Sequence, residues 1–551
     1  MRLVAALSFC AIVLLTTGTA RADITGSISG IVTDPSGAVV PGATVVATAL
    51  STNIEHKTVT DGRGFYSFPA LSVDVYSVSL TQTGYDTFSM QDIKVNANSA
   101  IRVDIALQIG KVTNTVAVRS DALHIETQST QMGVVIESAK ITSVPLNGRS
   151  FIDLLALQPG VSPYTGNDTA QGVGAYTISG DQTNGTQSVN GGRTEANGFM
   201  VNGADAEEGV HNGAALIPNL DSIAQFRIIT NNFDAEYGNF SGGQVNLVTK
   251  SGSNSFNGNL FEFLRNTDLD AKNYFADTRG TFVQNQFGGT IGGPIRKDKV
   301  FFFADYQGTR QILGQTQFFP VPSAADRAGN LSDQESALVT SDPANGGQGV
   351  VGAYWAGILS QRLGYPVSAG EPYYTQGCTD SSTCVFPNAI VPQSAWSPVA
   401  VQTLKYIPQP NVNAVSGPSF QTAAYDGRLS DDKGGIRVDT NTHWGSLFGY
   451  YFRDKYDTTN PYDQGINIPG FADSNTGFTQ MVNLGLTTTF NPTLVNDIRM
   501  VYMRDVNHTG SPTQGQGTGV SLASLGFNTP WTSNGGISNI NPAIQGVPSF
   551  F

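Results

Sequence analysis

The sequence predicts a mainly β protein in three parts: an N-terminal β-sandwich, a mixed α/β domain, and an antiparallel transmembrane β-barrel that the chain leaves incomplete. Three observations lead there. Residues 26–107 carry short alternating strands at about ten-residue spacing, the pattern of a sandwich. After residue 254 the strands lengthen and gain aromatic-rich apolar faces. Charged residues are 13% of the chain, against about 25% in ordinary soluble domains.

The chain opens "MRLVAALSFCAIVLLTTGTARAD". A cation at Arg2, an apolar run from Leu3 to Leu15 and the A-x-A pattern Ala20-Arg21-Ala22 predict a secretory signal peptide over residues 1–22. Cys10 lies inside the apolar run, which argues against a lipoprotein. No later stretch approaches the ~18 consecutive apolar residues a spanning helix needs. Membrane entry therefore requires a closed β-barrel, because lipid cannot satisfy open backbone groups. The net charge of −13 argues against a nucleic-acid partner. Cys378 and Cys384 in "GCTDSSTCV" favour a small loop disulfide over a metal site, since structural zinc needs four ligands and no histidine is near.

Residues 23–109 form the expected sandwich, with Asp34-Pro35-Ser36-Gly37 placed for a type I turn. Residues 110–120 are an extended linker. Residues 121–253 mix strand-like runs such as "FMVNG", "AQFRIIT" and "GGQVNLVTK" with one helix, "SFIDLLALQPG". Ser150 is its expected N-cap, Phe151, Leu154 and Leu155 share its apolar face, and Pro159-Gly160 stops it. In "NFDAEYGNFSGGQVNLVTKSGSN", Gly238, Gly242 and Gly243 are expected to allow close backbone approach, with Val245, Leu247 and Val248 packing inward.

In residues 254–551, Leu484, Leu486 and Phe490 alternate with polar residues, as do Ile498, Met500 and Tyr502 beyond the Asn491-Pro492 turn. Trp444, Phe448, Tyr450 and Phe452 are expected on one face. Residues 312–432, rich in Pro, Gly, Ser and Asp, fit a long extracellular loop. No enzyme signal is present: His56, His124, His211, His443 and His508 are dispersed, and no phosphate loop, nucleophile elbow or H-E-x-x-H motif occurs. No cofactor and no metal are expected.

"GIVTDPSGAVVPGATV" and "TDGRGFYSF" resemble the carboxypeptidase regulatory-like domain, a non-catalytic, immunoglobulin-like sandwich. "VPLNGRSFIDLLALQPGV", "QSVNGGRTEANGFMVNGAD" and "QNQFGGTIGGPIRKDKVFFFADYQG" resemble a TonB-dependent outer-membrane receptor of the Oar-like branch, from about residue 26 onward. Asn202 and Gln225 stand where that family often has Asp and Glu. The resemblance implies that residues 121–253 are a plug filling the barrel. It implies that Val112, Thr113, Asn114, Thr115, Val116, Ala117 and Val118 form the TonB box, which would add a strand to TonB's sheet. The implied partners are the TonB–ExbB–ExbD complex, outer-membrane lipid and an unidentified extracellular ligand: siderophore, oligosaccharide, peptide or protein. The implied plug motif is Arg149, Asn190, Gly191, Arg193, Glu236 and Tyr237, with an Arg–Glu contact between plug and barrel. About six strands follow residue 254, too few for a plugged barrel of 22, so the chain is expected to be a fragment. The alternative is a secreted or surface sandwich that binds glycan through Phe65, Tyr66, Phe68, Tyr76 and Tyr85.

Overall fold

Along β1 (Gly26–Thr33) buried and half-buried residues alternate without a break, so one face of the strand goes to a core and the other to water. The same period builds β2 (Thr44–Ala49), β3 (Glu55–Val59), β4 (Phe65–Leu71) and β5 (Asp74–Thr81). It continues through β6 (Thr87–Val95), β7 (Ala100–Arg102) and β8 (Ile105–Ala106). One sheet has the order β4-β1-β7, with β8 also on β1; the other runs β3-β2-β5-β6 and ends in β9 (Thr115–Arg119). Ile28, Val32, Val45, Val78, Leu80 and Ile93 have no solvent exposure between them. At the predicted turn, Asp34 Oδ1 accepts from the amides of Ser36 (2.8 Å) and Ala38 (3.0 Å), and Gly37 supplies the left-handed φ of +85°.

The computed structural model describes residues 25–110, 115–119, 131–146, 148–162, 179, 187–210, 212–233, 237–272, 279–315, 318–334, 349–414, 417–421, 425–460 and 473–510. The expected signal peptide lies outside the described residues.

The plug begins with β10 (Met132–Glu137), α1 (Ser138–Ser143) and α2 (Ile152–Leu155). It continues through β11 (Val161–Ser162), β12 (Ser188–Val189), β13 (Gly198–Val201), β14 (Ala204–Asp205), β15 (Ile223–Asn231) and β16 (Gln244–Thr249). The main sheet runs β10-β15-β16-β13-β14, and every residue of the central β16 is buried. Helix α2 is shorter than expected: its N-cap is Phe151, while Ser150 Oγ accepts from the Ile152 amide one residue earlier (3.3 Å). Phe151, Leu154 and Leu155 enter the core as expected. Gly242 is required, because a Cβ there would lie 2.6 Å from Asn197 Oδ1 and 2.8 Å from Ala196 O. Gly238 has open space around it and carries no such need. Val245 and Leu247 join the plug core, whereas Val248 points the other way, against Ala97 of the sandwich, as strand alternation demands.

The wall consists of β17 (Asn257–Asn266), β18 (Phe282–Arg296) and β19 (Val300–Gln315), then an insert, then four more long strands. The insert holds β20 (Phe318–Pro320), α3 (Gly352–Leu363), α4 (Pro398–Thr403), β21 (Val412–Ala414) and β22 (Gly417–Gln421). The later strands are β23 (Tyr425–Thr442), β24 (Gly445–Asn460), β25 (Asp473–Asn491) and β26 (Leu494–Gly510). All seven wall strands pair in chain order, antiparallel, in one sheet. Short turns at one end and long connections at the other give the polarity of an outer-membrane wall. The insert expected to be a loop has a core of its own, with Val350, Leu359, Val385 and Phe386 packed together. Among the described residues no helix is long and apolar enough to cross a membrane.

The wall's two faces differ. One row across the sheet aligns Ile291, Ala304, Ile436, Tyr451, Val482 and Tyr502, and Ile291, Ile436, Tyr451 and Tyr502 in it are exposed. Leu447, Leu484, Ile498 and Met500 extend this outward apolar belt. Phe448, Tyr450 and Phe452 face inward against the plug core, and Trp444 sits exposed in the turn before β24. The four aromatics expected on one face are thus divided. Leu447 and Tyr451 take the outward positions of β24.

Candidate functional site

Plug and wall meet at the turn between β13 and β14. Asn202-Gly203 joins β13 to β14 with φ of +50° and +71°, the two left-handed positions a tight hairpin needs. The fully buried Asn202 side chain donates to Thr249 Oγ1 (2.9 Å), and its Oδ1 accepts from the Thr249 amide (2.9 Å) and from Arg437 Nη1 (3.1 Å). Its carbonyl accepts from Asn483 Nδ2 (3.1 Å) and Arg499 Nη1 (3.1 Å). Arg437, Asn483 and Arg499 lie on β23, β25 and β26, so three wall strands grip one plug turn. Each arginine is oriented by a carboxylate two residues away, Asp439 for Arg437 (2.8 Å) and Asp497 for Arg499 (2.7 Å). A Cβ at Gly203 would collide with the Arg499 guanidinium.

A second contact lies at β17. Arg149, itself at φ +58°, forms an ion pair with Asp221. Its guanidinium stacks on Phe261 (4.8 Å) and Phe263 (4.1 Å) of the wall. Burial lowers the Arg149 pKa, and the Asp221 carboxylate opposes that. Asn259 donates to Asp221 Oδ1 (2.7 Å), Gln286 donates to the Gly148 carbonyl (3.1 Å), and Asn219 donates to Asp305. Arg149 pairs within the plug, and the wall contributes aromatic faces and amides to this contact. Glu236 lies outside the described residues.

The other residues of the expected motif are dispersed. Asn190 and Gly191 form a left-handed turn after β12, and Asn190 Nδ2 donates to the Thr230 carbonyl (2.8 Å). Arg193 is exposed. Tyr237 is buried, its hydroxyl accepting from Asn246 Nδ2 (2.8 Å) at the sandwich side of the plug. Of the residues that join plug to wall at this turn, the sequence reading singled out Asn202 as a departure from the family pattern, while Arg437, Asn483 and Arg499 escaped it. The Asn-Gly hairpin signal in "FMVNGAD" marked the turn but not its partners.

In the hairpin after β13, burial and the neighbouring Asp205 push the Glu207 pKa up to about 9. Glu207 Oε1 accepts from the Phe199 amide (2.6 Å). Of the expected TonB box, Val112, Thr113 and Asn114 lie outside the described residues. Thr115, Val116, Ala117 and Val118 form β9, paired in parallel with Thr87–Met90 of β6. Cys378 and Cys384 are bonded (S–S 2.05 Å) within the insert. Among the described residues, no group of three or more His, Cys, Asp or Glu could hold a metal ion. Tyr66, Phe68 and Tyr76 are buried in the sandwich core rather than displayed.

Comparison with known proteins fits this architecture. Residues 27–108 match the carboxypeptidase regulatory-like domain, and residues 248–550 match the outer membrane beta barrel domain. The TonB-dependent transporter Oar of Myxococcus xanthus is 30% identical over 317 residues, covering 54% of this chain and 28% of that protein. The chain thus spans less than a third of this relative's length. Among solved structures, the outer membrane transporter YddB of Escherichia coli is 9% identical with a TM-score of 0.36, covering 68% of this chain and 39% of its own. The siderophore receptor PirA of Acinetobacter baumannii is 14% identical with a TM-score of 0.31, covering 69% and 49%. With more than half of its residues inside the barrel-domain match, this chain belongs to the outer membrane β-barrel family.

Proposed function

We propose that the chain supplies the periplasmic sandwich, the plug and the first wall strands of a TonB-dependent transporter. The observation that carries this is a folded α/β domain held against the inner face of a wall whose outer face is an apolar belt. The hold includes polar contacts: Arg437, Asn483 and Arg499 on one turn, Asn259 on Asp221 and Gln286 on Gly148. Water can replace such bonds when a plug shifts, and they lie beside an apolar patch where Tyr450, Phe452 and Met481 of the wall meet the plug core. The long connections and the folded insert lie at the outer end of the wall, where a ligand would arrive. TonB, driven through ExbB–ExbD, would take the linker as an added strand and pull on the plug. The relative's name supports this energy coupling, and siderophore, oligosaccharide, peptide and protein ligands all remain compatible with it. Glycan binding by the sandwich loses its support, because three of its five aromatics are core residues.

A photo-crosslinker at Ala117 tests the reading in intact cells. An adduct with TonB that disappears in the Val116→Pro variant is expected, because proline removes a strand donor. Absence of any TonB adduct from folded, outer-membrane protein would remove the coupling role.

A further inference from the structure

We propose that the β-sandwich is a bolt across the seam between plug and wall, so that the plug cannot shift until the sandwich has lifted away. Two of its loops reach two different bodies. The loop between β6 and β7 enters the plug. There Arg227, buried on β15, donates from Nη1 to the Ala97 carbonyl (3.2 Å) and the Asn98 carbonyl (2.8 Å). The Asn98 side chain meets the Tyr237 hydroxyl, which also accepts from Asn246. Ala97 has no solvent exposure and packs on Val248 of β16.

The loop between β2 and β3 reaches the rim of the wall. The Asn254 amide donates to the Ser51 carbonyl (3.0 Å), and Asn254 Nδ2 donates to the Thr52 carbonyl (2.8 Å). Asn53 donates to Asp298 Oδ1 (3.2 Å) in the β18–β19 turn. Strands β2 and β6 belong to one hydrogen-bonded sheet, so the two loops cannot move independently. A rigid body fastened to plug and rim together holds them in register. Its bonds are mostly polar, which makes release into water feasible. Ala97 and Val248, with Val73 beside them, add an apolar contact. The docking stands on geometry alone and does not depend on the transport reading.

Thiol labelling of the detergent-solubilised chain carrying Cys10→Ala tests it, since Cys378 and Cys384 are bonded to each other. The thiol of an Ala97→Cys variant should react roughly 100-fold slower than that of Ser36→Cys in the exposed turn, because labelling must wait for undocking. Equal rates would overturn the docking. Asn98→Gly keeps the left-handed backbone (φ +56°) while deleting the side chain, so the loop retains its shape. Added to Ala97→Cys, it should speed labelling. Asn98→Gly alone should also raise hydrogen exchange across β15 and β16 by about tenfold, a typical coupling between sites. Unchanged exchange in the plug, with labelling accelerated, would show a passive tether and overturn the bolt.

Discussion

The sandwich core and the plug–wall seam are both buried but differ in make-up: the sandwich core is apolar, while the seam sets polar contacts beside an apolar patch of Tyr450, Phe452 and Met481. The sandwich closes over Ile28, Val45, Val78 and Leu80, all fully buried. The seam buries Asn202, Thr249, Arg437 and Asn483, and Arg437 and Asn483 of the wall donate across it to the plug turn. Apolar burial is non-directional and costs most to undo, while each polar bond exchanged for one to water costs little net. The first surface is the harder to open, and the polar part of the second is the easier to exchange for water.

The largest test of that contrast is Leu80→Ala. The side chain is fully buried, and loss of a buried leucine costs ~2–5 kcal/mol including the cavity. We expect protease cleavage within residues 26–106 at lower urea while the wall remains folded. Equal resistance would show that the sandwich core is looser than its burial implies. On the wall, Met500→Arg puts a cation in the middle of the outward apolar belt, at a position 70% exposed to whatever surrounds it. If lipid surrounds it, the cost is ~2–4 kcal/mol and the folded, heat-modifiable band on gels should weaken. An unchanged band would mean that water meets this face.

How far the sequence discloses these surfaces depends on how local they are. The alternation in "GSISGIVT" needs only a period of two, and the Asp34 turn needs only four residues, so the sandwich is legible. The inner and outer faces of β24 are not, because "SLFGYYF" is apolar on both sides. Leu447 and Tyr451 face outward while Phe448, Tyr450 and Phe452 face the plug, and no periodicity can choose between two apolar faces. The seam is least legible of all. The Asn-Gly turn is visible, but its partners Arg437 and Arg499 lie 235 and 297 residues away, and only the closed topology brings them together. Arg149 shows the same limit: the family resemblance marks it, but its partner Asp221 lies 72 residues away and no local pattern points to it.

Asn202→Ala sharpens the comparison at intermediate scale. It leaves the Thr249 amide unpaired and removes one acceptor from Arg437, with an expected cost of ~1–3 kcal/mol. Asn202→Gly deletes the same bonds while accepting the left-handed φ of +50° freely. It should therefore be the milder variant, and the difference isolates backbone strain from the lost bonds. Both should raise hydrogen exchange at Thr249 and leave the sandwich unchanged. If the sandwich loosens as well, the two surfaces are coupled and the contrast between them fails.

The smallest expected effect is confined to the hairpin carrying Glu207, and its sign follows from the direction of the shift. The folded pKa of about 9 lies above the ordinary 4.5, so the folded hairpin keeps a proton that the opened hairpin gives up. Its stability is fully present below pH 4.5 and is lost progressively as pH rises toward 9. The Phe199 amide reports this directly, because it donates to Glu207 Oε1 (2.6 Å). Corrected for intrinsic base catalysis, its protection from exchange should fall across that window. Glutamine can still accept from Phe199 through Oε1 and donate to Asp205 through Nε2 without titrating. Protection in Glu207→Gln should therefore stay level as pH rises. A wild-type profile as flat as the variant's would mean that the carboxyl is ionised throughout and that the hairpin is wetter than its burial suggests. The plug would then carry a second water-exchangeable contact, inside the plug itself and not only where it meets the wall.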